Sequence, residues 1–143
     1  MKHGVVLAIV LGSIVYSVVA LADALPLAPG HYDVTVTLST TGKTEKRDRC
    51  ITSEHLANAE SVLNYGFAKN ATPLPNHTLV NFSVERGRIS YNVDTPSSLI
   101  HVEGTISDTD FSVVRSHQSK SGKVSPVPMT LTLTGNRTGD CKR

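Results

Sequence analysis

The sequence predicts an all-β fold with one short helix. Three observations carry this expectation. Apolar and polar residues alternate with period two in one segment after another, and Gly, Pro, Asn and Asp punctuate those segments at short intervals. A single stretch, after Cys50, carries apolar residues at helical spacing instead. Each strand has one apolar and one polar face, the mark of antiparallel pairing with one side in water. Such a sheet cannot leave its apolar face bare. The expected architecture is a curled antiparallel meander or open barrel of about seven strands, with the helix covering one opening. A two-sheet β-sandwich is the alternative.

Leu25 to Gly30 holds two prolines and reads as an extended lead-in. From His31 the chain alternates, with Val34, Val36 and Leu38 on one face and Asp33, Thr35 and Thr37 on the other. Thr40 to Lys43 is a turn, and Thr44 to Ile51 returns as a polar second strand. Its charged run, Lys43 to Arg49, reads as a solvated sheet edge, where lysines discourage aggregation. Thr52 is a good N-cap and Glu54 suits the first helical turn, where the helix dipole favours negative charge. Leu56, Ala59 and Leu63, with Val62 beside them, make an apolar stripe that should end near Asn64–Gly66. The loop that follows carries Tyr65, Phe67, Pro73 and Pro75. Val80, Phe82 and Val84 begin the next strand, Arg86-Gly87 turns it, and Ile89, Tyr91 and Val93 return. Ile100, Val102, Gly104 and Ile106 continue the pattern after Pro96. Ser107 to Asp110 is a turn, and Phe111 and Val113 start another strand. After a flexible connection over Gln118 to Pro126, Val127, Met129, Leu131 and Leu133 form the last one.

The N-terminus places this domain. Met1-Lys2-His3 is basic, Val5 to Leu21 is apolar, and Ala20-Leu21-Ala22 puts small residues where a signal peptidase reads, just before Asp23. The expectation is a signal peptide over residues 1–22 and a single secreted β domain over residues 23–143. Ala22-Asp23-Ala24 offers a second cut. A signal anchor is the competing reading, but the apolar run is only about 17 residues, at the short edge of what spans a bilayer. The product is expected to be periplasmic or secreted, soluble and without an integral membrane span. The formal net charge is +2 for the whole chain, and Lys2 is the one charged residue removed with the signal. A charge that small gives no argument for nucleic acid or a membrane surface. The two cysteines, Cys50 and Cys141, read as one disulfide in an oxidising compartment, with free thiols or an intermolecular bridge as alternatives.

Three short segments carry a family likeness: Pro29-Gly30-His31-Tyr32-Asp33-Val34-Thr35 at the start, Cys50-Ile51-Thr52 before the helix, and Gly135-Asn136-Arg137-Thr138-Gly139-Asp140-Cys141 at the close. Together they resemble a family of small exported proteobacterial proteins, a domain of unknown function with the pattern P-G-x-W-x-V-T, C-x-T-P-E and G-x-R-x-G-x-C. The likeness covers residues 29–141. Tyr32 stands where that family usually has Trp, and Ser53 where it usually has Pro. Many members have two further cysteines, near Asn76 or His77 and Asp94 or Thr95 here. If those two are partners, their joint loss leaves Cys50 and Cys141 to each other. The resemblance implies a bacterial periplasmic setting and brings no activity with it.

The candidates for chemistry are sparse. The five histidines left after cleavage, 31, 55, 77, 101 and 117, form no H-x-x-x-H or H-x-H, and H-E-x-x-H is absent. His101 and Glu103 should share the wet face of one strand as a surface pair. There is no G-x-S-x-G and no S-x-x-K. Gly42-Lys43-Thr44 copies the end of a phosphate-binding loop, but Thr37 stands at the required earlier glycine and no helix follows. Asn70, Asn76, Asn81 and Asn136 begin Asn-x-Ser/Thr triplets that a bacterial setting leaves unmodified. No catalytic, cofactor or metal residues are therefore assigned. The expected role is a non-catalytic binding or interaction module for a protein or an envelope component. A carrier of a small apolar or lipid-like ligand within the curled sheet is the alternative, and an enzyme comes third.

Overall fold

A computed structural model describes residues 24–64, 75–122 and 129–142. The expected cleavage residues Ala20, Ala22 and Asp23, and also Tyr65, Phe67, Pro73 and Val127, lie outside them. The strands are β1 (Gly30–Leu38), β2 (Thr44–Ile51), β3 (Thr78–Glu85), β4 (Arg88–Asp94), β5 (Ser98–Ile106), β6 (Asp110–Ser119) and β7 (Thr130–Gly139). They form one sheet in the order β2-β1-β7-β6-β5-β4-β3. Every neighbouring pair is antiparallel, and the sheet does not close into a barrel. The expected curled antiparallel sheet of seven strands is thus what the chain forms. Strands β3 to β7 run as a meander, and β1 docks on β7 with β2 outside it.

The alternating pattern sets the core. Val34 and Val36 from β1, Ile89, Tyr91 and Val93 from β4, Ile100, Val102 and Ile106 from β5, Phe111 and Val113 from β6, and Leu131 and Leu133 from β7 are all buried on one face. Leu25, Leu27, Leu56, Ala59, Val62 and Leu63 join them from the lead-in and the helical segment, making a single cluster. Each such aliphatic side chain is worth about 1.5–3 kcal/mol relative to exposure. Two glycines on this face let the sheet bend sharply. A Cβ on Gly135 would lie 2.3 Å from the Phe111 ring, and one on Gly104 would lie 2.0 Å from the Ser112 carbonyl oxygen. Phe111 fills the room that Gly135 leaves.

Three expectations need correction. The helix is two short helices, α1 (Ser53–Leu56) and α2 (Ala59–Leu63). Asn58 separates them, with an extended backbone and a side chain that accepts from Glu60 N at 3.1 Å to cap α2. Thr52 does cap α1, and its capping-box partner is His55, whose Nδ1 accepts from Thr52 N at 3.1 Å. His55 therefore takes the place that Glu usually holds.

Secondly, β3 slips phase. Its register with β4 shifts between Val80 and Ser83, so Asn81 (φ 56°) and Phe82 together oppose Tyr91. Leu79 consequently takes the inner position, and Val80 faces water at 39% exposure. The inner row of β6 that Phe111 and Val113 begin continues with Arg115, 3% exposed. Lastly, β7 starts later and runs longer than its apolar residues indicate, ending at Gly139 while Met129 lies exposed before it.

The lead-in is fixed as well. Leu25 N donates to Leu56 O and Ala28 N to Asp108 O. The fully buried Tyr32 donates its hydroxyl to Ala28 O at 2.7 Å. Cys50 and Cys141 are joined, with Cα atoms 5.4 Å apart. Cys50 pairs with His31, and His31 pairs in turn with Gly139, so the bridge spans β1 from β2 to the tail of β7.

Candidate functional site

Three groups of polar side chains among the described residues are candidates for a site. Inside the core, α2 places Glu60 against Arg115 of β6. Arg115 Nη1 donates to Glu60 Oε1 at 3.2 Å, with both side chains under a tenth exposed. Tyr91 of β4 completes the group. Burial first, and the Glu60 carboxylate second, push its hydroxyl far above the usual phenol range. Glu60 Oε2, Arg115 Nε and Tyr91 Oη make no hydrogen bond among the described residues. A buried pair of this kind gives modest net stability, but breaking it strands a charge in the core. It ties α2 to β6, with the pair buried among the described residues.

On the outer face, β4 and β5 bring together Asn92, His101 and Glu103. His101 Nδ1 lies 2.8 Å from Asn92 Oδ1, and His101 Nε2 lies 3.4 Å from Glu103 Oε2. This is the exposed pair expected from the alternation of β5. Beside it an open hollow of about 660 Å³ is lined by Ser83, Arg86, Arg88, Ser90, Glu103 and Thr105, among others. Arg86 sits in the left-handed region (φ 49°) at the hairpin turn before Gly87.

The third group lies at the opposite end of the same face. β1 and β2 bring His31, Asp33 and Asp48 together, with one ligand atom of each within 4.8 Å of the others. Asp33 and Asp48 are direct cross-strand partners. His31 Nε2 is 3.4 Å from Asp48 Oδ1, and His31 Nδ1 is 2.8 Å from Thr138 Oγ1. Asp33, Thr35, Lys46, Asp48 and Asn136 help to line a second open hollow of about 480 Å³. Between the two hollows runs a ladder of small polar residues: Thr35 pairs with Thr134, Thr134 with Ser112, and Ser112 with Thr105.

Of the residues singled out in the sequence, Cys50 and Cys141 come together and so do His101 and Glu103. His55 and His77 lie elsewhere, engaged with Thr52 N and Pro75 O. His117 is half-buried on β6, and burial, followed by the Arg115 charge, lowers its pKa. Glu60 with Arg115, and Asp48 with His31, were not foreseen. One signal was available, the H-x-D of His31 and Asp33 on a period-two strand; Asp48 joins it only once the β1–β2 register is known.

Among the described residues no helix is long and apolar enough to cross a membrane. Comparison with known protein families, with curated proteins and with solved structures finds no match for this chain.

Proposed function

We infer that this protein is a non-catalytic interaction module working outside the cytoplasm, and that its working surface is the outer face of the sheet. One observation carries the reading. The inner face is occupied by a continuous apolar cluster and the two helices, while the outer face presents a polar ladder flanked by two open hollows. A broad Ser/Thr surface with both signs of charge at its ends suits hydrogen-bonding recognition of an envelope component or an exported protein. The reading of an oxidising compartment is supported by the bridge between Cys50 and Cys141 and by the export-type residues at the N-terminus. The Glu60–Arg115 and His101–Glu103 pairs and His55 are engaged in structural contacts, which supports binding over catalysis.

The test is site-directed photo-crosslinking in the native host. A photoreactive residue at Thr105 or Ser112, both exposed on the outer face, should give discrete adducts, and one at the exposed Glu54 on α1 should give none. Adducts from Glu54 alone, or none from either outer position, would overturn the reading. The carrier alternative rests on Leu79, Phe82 and Val84, which are only partly buried along β3. Native mass spectrometry of protein from its own host separates the two, because a carrier brings extra mass and an outer-face binder does not.

A further inference from the structure

We propose that His31, Asp33 and Asp48 form a binding site for a divalent transition cation, with zinc as the best-matched ion. The ligand chemistry is one imidazole nitrogen and two carboxylates, gathered from adjacent strands with their donor atoms within 4.8 Å of one another. Zinc holds nitrogen and oxygen donors at about 2.0–2.2 Å, so side-chain rotation must draw the three donors closer together for them to share one ion. A nitrogen donor sets the site apart from the all-oxygen cages that calcium and magnesium prefer.

The hydrogen bonds of His31 orient its lone pair. Thr138 Oγ1 donates its one proton to the His31 carbonyl oxygen at 3.3 Å. With that proton used, Thr138 Oγ1 is placed to accept from His31 Nδ1, 2.8 Å away. In the neutral ring this hydrogen bond favours the proton on Nδ1 and leaves the Nε2 lone pair facing Asp48 Oδ1 at 3.4 Å. A lone pair facing a carboxylate needs a positive charge between them, which a proton on Nε2 or a bound cation supplies. Thr138 thus does what the outer partner of a metal-bound histidine does: it fixes tautomer and ring orientation. The second requirement for a positive charge comes from Asp33 and Asp48, which stand directly opposite each other across the ladder. Like charges in that relation destabilise a strand pair. Arg47 pairs with Glu45, and Lys46 lines the same hollow as the two aspartates. Both aspartates line an open hollow, which gives a hydrated ion access and leaves its remaining coordination positions to water.

The proposal is independent of the interaction reading and is tested on the oxidised full-length protein with zinc chloride, calcium chloride as the contrast, and titration calorimetry. One equivalent of zinc should bind, calcium should not compete, and the melting temperature should rise with added zinc. His31→Gln and Asp48→Asn, both near-isosteric and at the surface, should abolish binding and the thermal shift. Thr138→Val keeps all three ligands and should weaken binding by about tenfold through loss of the orienting oxygen. Glu103→Gln, in the other histidine–carboxylate pair, should bind as the parent does. Absence of zinc binding by the parent, undiminished binding by His31→Gln and Asp48→Asn, or loss of binding in Glu103→Gln would each overturn the proposal.

Discussion

The two outermost strands of this sheet among the described residues, β2 and β3, are protected by opposite means. β2 is polar on both faces: Glu45, Arg47 and Arg49 oppose the inward residues Val36, Val34 and Tyr32 of β1, while Lys46 and Asp48 lie on the other side. Arg47 holds the Glu45 carboxyl below its usual range by a hydrogen bond. Charges on both faces make a poor template for another strand, but they also give β2 almost no hold on the core. Ile51 alone is buried there, and the bridge from Cys50 supplies the anchor that packing does not. β3 does the reverse. Leu79, Phe82 and Val84 grip the core, and the Phe82 ring lies 5.9 Å from that of Tyr91. Its outer side is broken by the irregularity at Asn81, which interrupts the ladder a docking strand would need. An edge can therefore be made safe by charge, if it is covalently held, or by a bulge, if it is held by packing.

The largest way to break this contrast is to reduce the disulfide. Its sequence separation is 91, and the loop-closure estimate is about 4–5 kcal/mol, or roughly 15 °C in melting temperature. Hydrogen exchange should show β2 amides losing protection before those of β3. Equal melting of reduced and oxidised protein, or simultaneous loss at both edges, would end the argument.

The next largest effect concerns the buried pair that joins α2 to β6. Arg115→Ala should cost about 3–5 kcal/mol in denaturant unfolding, because it strands the Glu60 carboxylate. Replacing Arg115 and Glu60 together by Met should recover most of that loss. If the double variant is as unstable as the single one, the helices rest on something else.

Phe82→Ala sharpens the β3 side and should cost about 2 kcal/mol, less than for a fully buried ring. It should leave β2 exchange unchanged. The smallest effect is the pH response of His117. Burial and the Arg115 charge lower its pKa in the folded state, so folding favours the neutral ring. This histidine adds no penalty above about pH 6.5, the usual unfolded value, and stability is lost as the pH falls below it. His117→Gln should therefore lose less melting temperature than the parent between neutral and mildly acid pH. An equal loss would remove His117 from the account.

The strands whose apolar rows are uninterrupted, β1, β4 and β5, were fully legible in the sequence, since period-two alternation fixes both the element and its buried face. β3 was legible as a strand but not in its phase, because one extra residue at Asn81 reverses the facing of everything before it. The break at Asn58 was hidden because the stripe Leu56, Ala59, Leu63 fits one continuous helix equally well. Arg115 reads as the polar end of an apolar row, and its partner lies 55 residues away on another element. The polar groups on the outer face were half legible. His101 and Glu103 share one strand, whereas Asp48 meets His31 and Asp33 only through pairing between strands.

The position of β1 has a consequence for how the molecule is completed. β1 emerges first among the strands, yet one of its two neighbours, β7, is the last. Until the final stretch arrives, β1 and β6 each expose a naked flank in what should be the middle of the layer, and Cys50 has no thiol to meet. A chain shortened before Thr130 would lack the keystone between two halves and the means to lock them. The arrangement makes integrity of the C-terminus a condition for the whole layer, so that a truncated product betrays itself by what it leaves uncovered.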